Sequence, residues 1–398
     1  MTTAVIDVDL GNLPPEIVGL DGCERAFFLI RLQGRPVGKA IVPVFGGCIQ
    51  GVGLRERLVD ACGWPLFQRW LHDYLDWDDR RMMGPVSLRA TVAVCSRDRT
   101  EDLQRCLDAV MRLPDDGQDL LVVDNCPSTD ETHRLVARYP RARYVRENRP
   151  GLDIARNRAL REARTDVVAF TDDDAAPDPS WLRVLLRNFD DPRVLCVTGL
   201  TMPLELQTRA QEWFERHSSF SRGFVRQVFD RKLIDPLAAS FVGAGANMAL
   251  RRSVLDLVGP FDEALDAGTP TFSGGDTEMF SRILGHGYRI VYDPASLSWH
   301  RHRREWDELR RTIYGYGVGV YAGWTRRLIV EKEKGVLILA LKWLLFHQLP
   351  GLARSALRLD GHVPLHLLWD ELRGCMAGPR AYFSSVERLA AEEVARDR

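Results

Sequence analysis

The chain has 398 residues, is 45% apolar and 27% charged, and carries a formal net charge of −1. That is the composition of an ordinary globular chain with room for one large domain or two. No global field recruits nucleic acid, so a nucleic-acid partner is excluded on charge. Lysine occurs at five positions (39, 232, 332, 334 and 342), so 49 of the 54 basic residues are arginine and a single arginine says little. The eight cysteines form no CxxC pair and no closely spaced framework, which excludes a zinc ribbon and a disulfide scaffold. The opening MTTAVIDVDLGN lacks a basic segment and a long apolar core, so no secretory signal is read there.

Residues 1–86 read as a small α+β accessory module. Ala26–Leu32 and Val37–Val42 around the turn QGRP predict a β-hairpin, and Leu54–Cys62 and Trp64–Leu75 predict two helices. The charged link 76–86, ending in Gly-Pro, suits a domain boundary.

From Leu88 strands and helices alternate. Leu88–Cys95 is a strand, followed by the turn SRDR and a helix with Thr100 as its N-cap. Leu120–Val123 is the second strand, and Ser128 with Glu131 has the spacing of a capping box for the next helix. Ala142–Val145 is a third strand, and 153–164 a helix carrying ARNRAL. The fourth strand, Val167–Phe170, runs straight into Asp172, Asp173 and Asp174. This alternation predicts right-handed βαβ units in a mainly parallel sheet, with ligands outside the carboxyl ends of the strands. Asp98, Asp124 and Asp172–Asp174 then face one crevice. Three adjacent carboxylates repel one another, and hard oxygen ligands in this number suit Mn²⁺ or Mg²⁺.

Beyond Val194–Val197 the alternation fails. Residues 205–238 are amphipathic and aromatic-rich, like a covering segment, and Phe241–Leu250 reads as a glycine-containing strand. The loop GTPTFSGGD at 268–276 leads into a helix with Asp276 at its start, as N-cap, proton acceptor or both. Another strand, YRIVYDP, precedes His300 and the cluster Arg301–Arg304, suited to a metal and a diphosphate. From Trp306 a helical tail is expected, interrupted at YGYGVGVYAG. The apolar run Val336–Phe346 is broken by Lys342 and short for a bilayer span. Residues 336–350 are read as a core helix, a dimer face or an interfacial membrane helix, the first two preferred because Lys342 and His347 interrupt them.

Taken together, VAVCSRDR, VVDN, RPGLDIARNRAL, FTDDDAAPDPSWL, and GGDTEMFSRIL with YDPASLSWHRHR resemble the inverting family 2 glycosyltransferases of GT-A fold, over Leu88 to Arg304. The resemblance implies a Rossmann-like, mainly parallel α/β core at 87–305, with 306–398 as a helical extension. It implies that Asp124 holds the nucleotide base, that Ser96 and Arg97 line the nucleotide, and that Arg156, with Asn157, helps the base or diphosphate. Asp172 falls to the nucleoside, Asp174 to the metal, and Asp173 to the donor site without a settled role. Asp276 matches the catalytic base and His300 a metal or phosphate ligand. Two departures stand out: Gly275 precedes the base where an acidic residue is usual, with Glu278 keeping a second acidic position, and the Gln-x-x-Arg-Trp signature of processive synthases is absent.

The expected activity is a metal-dependent inverting transfer of one sugar from a nucleotide diphosphate sugar, a UDP-sugar, to an acceptor nucleophile. The acceptor class is open among glycan, lipid-linked sugar, peptide and small metabolite. Mn²⁺ or Mg²⁺ is the expected cofactor, a homodimer or peripheral membrane contact through the tail is carried as an option, and the expected location is cytoplasmic, at most peripheral to the inner membrane face. Two alternatives are a nucleotidyltransferase making a sugar nucleotide and a non-catalytic sugar-nucleotide-binding protein. The first usually has a Gly-rich phosphate loop after its first strand, which VAVCSRDR lacks, and the second would not need Asp276.

Overall fold

The strand that ends in the three aspartates lies near the middle of a large sheet, buried on both faces. The structure, a computed structural model, describes residues 2–51, 53–75, 88–359 and 362–396. The link 76–86 lies outside them.

The first residues build a separate sheet of β1 (Thr3–Asp9), β3 (Arg25–Leu32) and β4 (Arg35–Pro43). β3 and β4 are the expected hairpin; β1, in parallel register with β3, was not anticipated. Two-residue strands β2 (Glu16–Ile17) and β5 (Ile49–Gln50) pair beside it, and α1 (Leu54–Cys62) and α2 (Trp64–Tyr74) follow. One face of this sheet is buried under α1, and the other meets the large sheet through Phe27, Leu29, Leu200, Met202 and Leu297. Arg31 to Asp178 at 2.8 Å and Lys39 to Glu215 at 2.7 Å border that contact.

The large sheet and its helices run β6 (Ala90–Ser96), α3 (Thr100–Val110), β7 (Asp119–Asn125), α4 (Glu131–Val136), β8 (Ala142–Glu147), α5 (Leu152–Glu162), β9 (Val167–Asp172), β10 (Ala175–Pro177) and α6 (Trp181–Arg187). They continue with β11 (Val194–Pro203), α7 (Arg209–His217), β12 (Gln227–Phe229), β13 (Asn247–Arg251), α8 (Val254–Leu257), α9 (Gly275–Gly285) and β14 (Arg289–His300). The order is β10-β14-β11-β13-β9-β6-β7-β8, with β12 on β14. Strands β8, β7, β6 and β9 are mutually parallel, so their carboxyl ends share one edge. One apolar core lies under α3, α4 and α6, the other under α5 and α9, so helices cover both faces.

Several expectations need correction. Phe241–Leu250 is a strand only from Asn247, and β13 runs antiparallel between β9 and β11. The residues before it turn tightly, and a side chain at Gly243 would land on Thr198. The N-cap of α3 is Arg99, not Thr100. No capping box forms at Ser128 and Glu131: the Ser128 N–H donates to Asp98 Oδ1 and the helix starts later, behind Asp130.

The tail differs most. α10 (Trp306–Val330) passes unbroken through YGYGVGVYAG and packs along α13 (Leu365–Arg396). Glycine costs an isolated helix about 1 kcal/mol per residue. Here the glycines let two backbones approach: a Cβ at Gly317 would land on the Glu371 carbonyl, and one at Gly374 on that of Tyr314. Between them lie α11 (Gly335–Trp343), a π-turn at Leu344–Gln348, and α12 (Leu349–Ala356). Together these make a 22-residue apolar helix, longer than the Val336–Phe346 run. The core reading of this segment fails, because its leucines lie on the surface.

Gly374→Ala should therefore cost about 1–3 kcal/mol, the usual penalty for overpacking. Gly285→Ala, whose Cβ would meet nothing within 4 Å, is its control. In thermal melts the first should fall by several degrees and the second should not; equal melting points would show that the α10–α13 contact is not backbone-close.

Candidate active site

A crevice of about 680 Å³ opens along the carboxyl ends of β6 and β9 and is closed by α9, α10 and the end of β14. Its wall includes Ser96, Arg97, Arg156, Asp172, Asp173, Asp174, Asp276 and His300, so eight of the expected site residues converge. Asp124 is not on that wall. It is fully buried one layer down, accepting 2.8 Å from the Tyr144 hydroxyl, and burial foremost raises its pKa. Its neighbour Asn125 lines the crevice instead.

β-pairing sets the central geometry. Asp172 is the last residue of β9, and Ala175 of β10 pairs with His300, the last residue of β14. Ligand atoms of Asp172, Asp174 and His300 come within 4.8 Å of one another. His300 Nε2 stands 3.0 Å from Asp174 Oδ1, and the buried Nδ1 has no hydrogen-bond partner among the described residues. Burial works against the charged forms of both, yet their mutual attraction wins: Asp174 is held below the usual carboxylate range and His300 is raised. Asp172 is raised by burial and by the Asp174 charge. Two carboxylates and an imidazole close together, Asp174 and His300 buried and Asp172 half-buried, are a donor set that a divalent cation fits.

Asp173 points elsewhere. It accepts 2.7 Å from Ser96 Oγ and 2.7 Å from Arg99, and burial pushes it up to about 7. Arg99 was not singled out from the sequence. Its guanidinium also reaches Asp174 at 2.9 Å and Asp102 at 3.0 Å, and so neutralises the aspartate cluster from one side.

Asp276 is not the N-cap of α9. Gly274 holds that position in a left-handed conformation, and Asp276 lies two residues in. Its Oδ2 accepts 2.7 Å from the Gly245 N–H and its Oδ1 accepts 2.7 Å from Thr277 N–H. A side chain at Gly245 would crowd both Asp276 and Arg156. Arg156 donates to Asp153 at 2.9 Å and Asp266 at 2.6 Å, and all three are buried. Asp153 Oδ2 has no hydrogen-bond partner among the described residues, and a side chain at Gly275 would collide with it. The missing acidic residue before Asp276 thus has a steric reason: the Asp153 carboxylate fills that space from α5. Nothing in the spacing of Asp153 and Asp266 signalled this.

Two expected residues are structural. Asn157 bonds both ways with the Phe261 backbone at 2.9 and 2.8 Å, tying α5 to the next loop. Glu278 is buried against Arg282 and Arg326 at 2.6 and 2.7 Å, off the crevice wall.

Residues 91–259 match glycosyl transferase family 2. Over that range the chain carries a family 2 glycosyltransferase domain. Within it lie all the crevice residues of β6, β7, α5 and β9, while Asp276 and His300 fall beyond the matched range. The pre-mycofactocin glycosyltransferase of Mycobacterium tuberculosis is 29% identical over 240 residues, covering 58% of this chain and 47% of that one. The glucosyl-dolichyl phosphate glucuronosyltransferase of Haloferax volcanii is 25% identical over 169 residues, covering 41% and 52%. The chain thus spans about half the length of the curated relatives it matches. A mannosyltransferase from Pyrobaculum calidifontis, solved with GDP-mannose and Mn²⁺, superposes with a TM-score of 0.44 at 20% identity, covering 83% of each chain.

The Arg99 contacts lead to a specific expectation. A guanidinium on Asp173 and Asp174 opposes a second cation at the same carboxylates, so Arg99→Gln should bind Mn²⁺ roughly tenfold tighter when no nucleotide is present. Calorimetry with Mn²⁺ alone measures this, and weaker binding in the variant would mean that Arg99 holds the ligands in place rather than competing.

Proposed function

We propose that the crevice transfers a single sugar from a nucleotide diphosphate sugar, a UDP-sugar, to an acceptor nucleophile with inversion at the anomeric carbon. The observation that carries this reading is that Asp276 and the Asp172–Asp174–His300 cluster line the same crevice. Family membership supplies the reaction class. A charge-neutralising site and a carboxylate base are what an inverting displacement of a diphosphate requires.

In this reading Asp172, Asp174 and His300 hold the divalent cation, Mn²⁺ or Mg²⁺. When bound, that cation neutralises the leaving diphosphate. Arg97, exposed on the crevice wall, and Arg303, 3.7 Å from Asp174, add positive charge on the same side. Ser96 and Asn125 stand where the nucleoside would lie, and Asp124 supports that wall from beneath through Tyr144.

Asp276 takes the acceptor proton as the acceptor oxygen attacks from the face opposite the diphosphate. Its two backbone hydrogen bonds fix the carboxylate. Arg156 faces it across Gly245 and is itself pinned by Asp153 and Asp266, which makes it a positioning residue in this reading. The accessory module, 1–86, and the extension, 306–398, would supply the acceptor side, since α10 contributes Glu308, Arg311 and Tyr316 to the crevice rim.

The test is a thermal-shift panel of nucleoside diphosphates with and without Mn²⁺. UDP with Mn²⁺ should raise the melting point more than either component alone, and a shift from UDP that is unchanged in EDTA would remove the metal from the scheme. Asp276→Asn should keep that shift while slowing hydrolysis of UDP-sugars, with water as acceptor, by roughly 10²–10⁴-fold. Hydrolysis within a few-fold of wild type would assign the proton to another group.

A further inference from the structure

The helix formed by α11, the π-turn and α12 is turned inside out for a water-soluble protein. Leu337, Ile338, Leu341, Leu345, Phe346 and Leu349 lie on the surface, Phe346 at 77% exposure. The residues it buries are Val336, Gln348 and Ser355. Two of those three are polar, while its large apolar residues face outward together with Lys342, His347 and Arg354. A helix with water on its outer side shows the opposite pattern. Exposed apolar area of this extent marks an interaction surface.

We propose that this helix lies in the plane of a lipid bilayer, with its outer face buried in the acyl region. Length alone would allow a span, since 22 apolar residues reach across hydrocarbon. The contacts along the helix do not. Trp343 meets Trp324 of α10 at 6.3 Å between ring centroids, and His347 approaches Glu371 of α13 at 3.9 Å. These contacts hold the middle, and Val336 and Ser355, both buried, hold the two ends, so the helix lies along a surface instead of leaving it. The exposed charge around it is net positive, since the cations outnumber the exposed carboxylates Glu331 and Glu333 that alternate with the first two lysines, and this fits anionic headgroups. Three of the five lysines in the chain are here, Lys332 and Lys334 exposed just before the helix and Lys342 within it. Arg354 and Arg358 are exposed at its far end. Lys342, which interrupts the apolar run, has a stem long enough to reach the headgroup level from a helix at that depth. A second copy of the chain would also cover the leucines, but it would bring these cations against one another. Anionic lipid turns the same charges into attraction.

The experiment is flotation of the full chain with phosphatidylcholine vesicles containing phosphatidylglycerol, at low and high salt. The paired variant is Leu341→Glu with Leu345→Glu, which alters exposed positions and should keep the wild-type melting point. Wild type should float at low salt and retain a substantial part of that binding at high salt, because most of it is apolar burial. The double variant should partition roughly tenfold less or lower. Three results would overturn the proposal: wild type that stays with the lipid-free fraction, flotation abolished entirely by salt, or a lipid-indifferent dimer in sedimentation that the double variant converts to monomer.

Discussion

Electrostatic repulsion among Asp172, Asp173 and Asp174 is the constraint on which the rest of the site depends. A buried strand delivers all three into one crevice, where burial penalises each negative charge. The surrounding fold answers with cations brought from elements far away in sequence: His300 at the end of β14, Arg303 after it, and Arg99 from the loop after β6. The carboxylates respond unequally: burial and the Asp174 charge push Asp173 up to about 7, while His300, Arg99 and Arg303 hold Asp174 below the usual range. A cluster balanced in this way is poised to accept another cation, and it leaves Arg99 facing the position that a cation would neutralise.

The opposite wall is built on a second set of charges. Arg156, Asp153 and Asp266 form a buried triplet beneath Asp276, and the glycines at 245 and 275 admit it. Breaking one member would leave buried charge uncompensated, which is why such groups are seldom interchangeable. The loop carrying Asp266 and Phe272, both in left-handed backbone conformations, closes this wall and packs on α10 through Gly315 and Gly319. The helical extension is therefore structurally part of the crevice, since α10 lines its rim and α13 holds α10 in place.

Much of this was legible in the sequence wherever the signal was local. The apolar run before Asp172 gave the strand, and the dense His/Arg cluster at 300–304 marked the strand end that meets it. The hairpin, both early helices and the βαβ alternation followed from periodicity. What stayed hidden depends on partners distant along the chain. Arg99 was discounted because arginine is abundant, yet its partners lie 74 and 75 residues away. Glycines in α10 read as breakers because their local cost is visible and the α13 backbone they accommodate is not. Asp124 was placed with the other strand-end carboxylates, but Tyr144 from the neighbouring strand claims it beneath the surface. The apolar tail looked like core because apolar composition does not say which way a helix faces.

The central claim is that the strand-end carboxylates and Asp276 border one site that holds a nucleoside diphosphate through a divalent cation. Phosphorus NMR of UDP with substoichiometric Mn²⁺ addresses it most directly, because the paramagnetic ion broadens only phosphates held close to it. Both phosphate resonances should broaden far more with wild-type protein than with Asp174→Ala at the same Mn²⁺ concentration. Equal broadening with the two proteins would show that the cation is not held at these carboxylates, and the account of the crevice would fail.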